Sequence, residues 1–137
     1  MEKFNRFFEK RKGYGIIFLR LVAGWRLIAG QWLYVKQAKP MSDVQGFFES
    51  VHIPAPMISA YISVYAQFIC GILFILGLWV RPAAMVMIFN FIVAIIVANL
   101  DKGIEKSFAA WILFASATLL LFTGAGKISI DNRLHKN

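Results

Sequence analysis

The chain has 137 residues, 59% of them hydrophobic and only 16% charged, against about 45–50% and 25% in soluble domains. Its single cysteine, Cys70, excludes an intramolecular disulfide and a C-x-x-C redox pair. A net charge of +8 invites nucleic acid, but no basic stripe is interleaved with aromatics, and basic residues flanking apolar blocks are what membrane topology requires; no nucleic-acid partner is expected.

Residues 1–13 are basic, and Phe4, Phe7 and Phe8 fall on one helical face. That spacing predicts a short helix lying at the membrane interface. The apolar segment that follows is interrupted by two arginines and closed by no A-x-A-like site, so it is read as a retained span instead of a cleaved signal peptide. This first span, residues 14–35, covers about 33 Å at the helical rise, enough to cross the hydrocarbon core. It carries Arg20, Arg26 and Gln31. An arginine near the centre of such a helix costs roughly 2.5–3.5 kcal/mol on insertion scales. Partners or a function must offset that cost.

Residues 42–45, Ser-Asp-Val-Gln, match a capping box, and Val44, Phe47, Phe48 and Val51 then share a face. A second amphipathic helix on the outer surface is expected there, ended by Pro54 and Pro56. The second span, 56–80, is uncharged and carries a stripe of small residues, Ser59, Ser63, Ala66 and Cys70, extended by Gly71 and Gly77 and suited to close helix approach. Arg81-Pro82 turns the chain into a third span, 83–100, with Asn90 in its middle. A charged loop, 100–106, leads to the fourth span, 107–123, stopped by Gly124-Ala125-Gly126. The remaining tail is polar and is expected to rest on the interface.

The fold class expected is all-α: an integral membrane four-helix bundle with short interfacial amphipathic helices, one domain over 1–137. Four spans put both termini on one side. That side holds nine basic residues (Lys3, Arg6, Lys10, Arg11, Lys12, Arg81, Lys127, Arg133 and Lys136), against Lys36, Lys39, Lys102 and Lys106 opposite. The positive-inside rule then makes both termini cytoplasmic, in a cell inner membrane.

All seven acidic residues lie outside the spans, and His52 and His135 lie in loops. No intramembrane proton relay, haem or metal site is therefore expected. What the spans do hold is a polar layer: Arg26, Gln67, Asn90 and Ser116 all fall near the midpoints of their helices. Two readings stand side by side. The layer is a buried network fixing helix register, or it is a site for an anionic or carbonyl-bearing ligand. Trp25 beside Arg26, with Tyr61 and Tyr65 a turn apart, offers walls for a flat ring. Arg20 sits about 7 Å from the centre toward the cytoplasm, and is expected to snorkel to headgroups as a lipid and interface anchor.

Leu19-Arg20 followed by Gly24, the block Gln67-Phe68-Ile69-Cys70-Gly71-Ile72-Leu73 with Gly77 and Arg81, and Gly124-Ala125-Gly126-Lys127 with Ser129 and Asp131 resemble the DoxX family, over about residues 14–134. The resemblance implies a four-helix membrane bundle. Some members look like membrane subunits of quinone-linked oxidoreductases, such as thiosulfate:quinone oxidoreductase. For this chain that implies an accessory or quinone-contacting subunit with a non-covalent quinone, and a redox partner subunit or a second copy beside it. Many members carry a glutamate in the second span and a histidine near the end of the third; here Gln67 and Asn99 stand in those places, which removes titratable groups. The alternatives are a non-enzymatic membrane module binding lipid or a partner protein, and a small-solute carrier working as an oligomer.

Overall fold

Apolar residues recur without long polar interruptions, and glycine and proline punctuate them, so the chain breaks into helices at the punctuation. The structure, a computed structural model, describes residues 1–101 and 104–136, and the side chains of these other than 98–106. It is helical throughout, with no strand among the described residues. The elements are α1 (Glu2–Glu9), α2 (Lys12–Val35), α3 (Ser42–Ser50), α4 (Pro56–Leu76), α5 (Val80–Asp101), α6 (Ile104–Thr123) and α7 (Ile130–His135). By length and composition α2, α4 and α5 over Val80–Val97 can each cross a membrane, and α6 adds a shorter apolar stretch, Ser107–Thr123.

The second span ends earlier than hydropathy predicts. Gly77 adopts φ 70°, and the Leu78 N–H reaches back 3.0 Å to the Leu73 carbonyl, a Schellman-type stop. The next helix starts at Val80, so Trp79 and Val80 belong to the turn and to α5, with Pro82 in the first turn where its missing N–H costs nothing. The capping box predicted at Ser42 does not form. Met41 holds the N-cap position without a side-chain bond, and the Gln45 amide donates to Glu49 Oε1 at 2.8 Å. Of the charged loop predicted at 100–106, α5 and α6 take the flanks, and residues 102–103 lie outside the described residues.

The long helices form two close pairs, α2 with α4 and α5 with α6, joined more lightly by α4 against α5 and α2 against α6. At the first crossing the backbones touch. A Cβ on Gly24 would lie 2.7 Å from the Gly71 carbonyl oxygen, and one on Gly71 would lie 2.9 Å from that of Gly24. Between lipid-solvated helices the gain is close packing, since lipid supplies no hydrophobic drive. The predicted small-residue stripe is only partly used for this: Gly71 makes the contact, Cys70 is buried in the core and Ala66 packs against it, whereas Ser59 and Ser63 line a cavity that Ala66 also borders. The tightest core, with Leu27, Phe74, Val80, Met87 and Leu120 almost fully buried, packs toward the end of the bundle that holds both termini.

That end is locked by Arg20. Its side chain is 3% exposed and does not reach out to headgroups as expected. One guanidinium nitrogen donates to the Ala125 carbonyl and the other to the Ile128 carbonyl at 3.0 Å, while Nε is buried without a partner. Gly77 gives the guanidinium room, since a Cβ there would lie 2.7 Å from Arg20 Nη1 and 2.6 Å from Ser129 Cβ. The segment after α6 therefore does not simply rest on the interface. Asp131 donates its N–H to the Gly77 carbonyl at 3.0 Å, and its carboxylate accepts from the N–H groups of Trp79 (2.8 Å) and Val80 (3.0 Å), capping α5. Its negative charge also acts on Arg20. Ser129 caps α7 by accepting from the Asn132 N–H at 3.1 Å.

At the amino terminus α1 buries none of its residues, and Phe4, Phe7 and Phe8 form an exposed edge-to-face cluster. That is the apolar face of an interfacial helix.

Candidate functional site

The opposite end of the bundle is open. Where α2 ends, α4 begins, α5 ends and α6 begins, the two helix pairs enclose a cavity of about 810 Å³. The volume falls within the range of about 300–1,000 Å³ of small-molecule sites. Most of its wall is apolar. α3 packs on α4 and contributes Val44, Phe47 and Phe48 to that wall, so this amphipathic helix covers a cavity as well as a surface.

Three of the predicted layer residues meet here: Arg26, Gln67 and Asn90 all line the cavity. Two residues that the layer argument omitted complete a hydrogen-bonded chain across α2, α4 and α5. Gln31 Nε2 donates to Gln67 Oε1 at 3.0 Å, Gln67 Nε2 donates to Ser63 Oγ at 3.2 Å, and Ser63 Oγ donates to Asn90 Oδ1 at 3.0 Å. Gln31 lies within the arginine-bearing span, and Ser63 precedes Gln67 by one turn on the same face. Both signals were present in the sequence, but Ser63 also fitted a packing stripe.

The chain engages three of its acceptors and, among the described residues, leaves Gln31 Oε1 open and a larger number of donors. Oε1 of Gln67, Oγ of Ser63 and Oδ1 of Asn90 are all engaged, whereas the Asn90 amide nitrogen has no partner among the described residues. Nor has the Arg26 guanidinium, which carries five N–H donors and no acceptor. Gly30 makes space for it, because a Cβ there would stand 2.7 Å from Arg26 Nη1. The cavity thus presents an excess of donors in an apolar setting. It suits a molecule with carbonyl or anionic oxygens and an apolar body.

The other predicted residues lie elsewhere. Ser116 is buried on α6 but donates to the carbonyl of Ile112, its own helix, at 2.8 Å, and does not line the cavity. Trp25 is 67% exposed and faces away from it. Tyr61 and Tyr65 stack on each other with centroids 6.3 Å apart on the outer face of α4 and form no wall. Arg20 belongs to the terminal lock. The side chain of Asn99 lies outside the described residues.

Comparison with known proteins adds two findings. A family model described as DoxX matches residues 15–100, a stretch that contains Arg20 and every polar residue of the hydrogen-bonded chain. An uncharacterized membrane protein of Mycobacterium tuberculosis is 28% identical over 138 residues, an alignment covering 88% of this chain and 82% of that relative. No solved structure matches the chain.

Proposed function

This chain belongs to the DoxX family of membrane proteins, and from that premise we propose that it is an accessory subunit of a membrane oxidoreductase that holds a quinone head group. The observation that carries this reading is the unpaired Arg26 guanidinium on the wall of a largely apolar cavity, beside an amide network with donors to spare. A quinone offers two carbonyl acceptors on a flat ring and an apolar tail, which fits both the donor set and the volume. When bound, it supplies two-electron redox chemistry.

The chain's own residues bind and orient. Arg26 and the Asn90 amide donate to the carbonyl oxygens, while Ser63, backed by Gln67 on the same helix and Gln31 on α2, holds Asn90 in place. Val44, Phe47 and Phe48 of α3 exclude water from the far side. No carboxylate or histidine occurs among the described residues lining the cavity, so protons and electrons are handled by a partner subunit. By charge asymmetry the termini face the cytoplasm of an inner membrane, which puts this cavity in the outer half of the bilayer.

The protein purified from its own membranes should carry extractable quinone, measured by chromatography and mass spectrometry. Arg26→Leu removes charge-assisted bonds worth about 1.5–3 kcal/mol, and should lower retention about ten- to hundredfold. Absence of quinone from the wild-type preparation, or equal retention by the variant, would reject the reading.

A further inference from the structure

A second cavity, of about 470 Å³, opens at the end that carries the termini, between the start of α5 and the segment that folds back after α6. Arg81 and Lys127 stand on its wall. Both are exposed, and neither side chain has a hydrogen bond or ion pair among the described residues. The one acid on the wall does not neutralise them. Both oxygens of Asp131 already accept backbone N–H groups, and its charge is set against the buried Arg20.

The two cations are laid over glycines. Arg81 Nε lies 3.4 Å from where a Cβ on Gly124 would stand, and the Lys127 stem lies 3.7 Å from the same point on Gly13. Both side chains therefore pack at van der Waals distance over backbone that carries no side chain of its own. Trp79 completes the rim, 64% exposed and held at φ 49° by the bond its N–H donates to Asp131. A non-glycine residue in this left-handed region is strained by about 1–3 kcal/mol. The lock around Arg20 thus holds an aromatic ring beside two unpaired cations, at the level where the long helices end. Tryptophan and basic residues at that level face phospholipid headgroups.

We propose that this cavity binds the phosphate of an anionic phospholipid, with Arg81 and Lys127 sharing its charge and Trp79 lying against the glycerol and upper acyl chain. Its chemistry and position are distinct from those of the donor-rich cavity at the other end.

The test uses the full chain in a neutral detergent, with thermal unfolding followed while phosphatidylglycerol, phosphatidylcholine of the same acyl length, or inorganic phosphate is added. Phosphatidylglycerol should raise the unfolding temperature and phosphatidylcholine should not. The Arg81→Gln, Lys127→Gln double variant should lose more than half of that rise, whereas Lys3→Gln, Lys136→Gln, which removes the same charge elsewhere at this end, should keep it. If the double variant does not fold, Lys127→Gln alone serves, since its side chain bonds nothing in the folded chain; it should lose part of the rise. Equal responses to the two lipids, an undiminished rise in the cavity variants, or an equal loss in the control variant overturns the proposal. A rise reproduced by inorganic phosphate overturns the lipid as occupant in favour of a free anion.

Discussion

Arg20 and Arg26 stand six residues apart on one helix and meet opposite fates. The first is sealed against backbone carbonyls; the second lines a cavity with its donors unused. Their substitutions should separate accordingly. Arg20→Leu forfeits two charge-assisted hydrogen bonds and leaves the Ala125 and Ile128 carbonyls unpaired, a loss on the order of 3 kcal/mol in thermal or denaturant unfolding. Arg20→Lys should recover little, because an ammonium cannot fork to two carbonyls as a guanidinium does. Arg26→Leu should unfold no more easily than the wild type, since it takes an unpaired charge out of an apolar wall, and its effect should appear in ligand retention alone. The energetic cost of arginine in a span marked both residues from the sequence. Depth along the helix did not tell them apart correctly, because the partners of Arg20 lie 105 and 108 residues further along the chain, in a turn that no periodicity reveals.

Among the elements, the α2–α4 contact shows what spacing can and cannot convey. The repeat at i+3 and i+4 identifies residues that share a face, but not what that face meets. Ser59 and Ser63 share theirs with a cavity, and the close approach falls at Gly71, which extends the stripe, against Gly24 of α2. Gly24→Ala should drive a methyl group into the Gly71 carbonyl and cost about 1–3 kcal/mol, the usual range for overpacking, measurable as a lowered unfolding midpoint with the helical circular dichroism of the folded state retained. Ser116 marks a similar limit. Its depth matches the polar layer, yet a hydroxyl in a helix can bond its own preceding turn, and this one does. Long apolar runs, by contrast, have few alternatives to a helix, which is why the long helices were legible to within a few residues, and why the turn at Gly77, an apolar stretch itself, was placed late.

Over the whole molecule the two helix pairs are drawn together at the terminal end and part around a cavity at the other. Cys70, 5% exposed beside the Gly24–Gly71 crossing, reports on the closed region. It should resist a maleimide in the native protein and react as the bundle unfolds, so that labelling in Arg20→Leu begins at a lower temperature than in the wild type. Hydropathy gave the class of this architecture; the asymmetry between its ends depends on the fold-back after Thr123, which carries too few apolar residues to announce itself. The fold-back also bears on biogenesis. Arg20 enters the bilayer with the first span, but the carbonyls that satisfy it are synthesised more than a hundred residues later, with Ala125 and Ile128. Until those residues follow, the nascent protein holds an uncompensated cation in the membrane, and the fold-back after α6 acts as a latch that closes only once the fourth long helix has been made. A ribosome that stops short of Ala125 leaves a chain that has inserted its long helices and still exposes a defect for quality-control proteases to find.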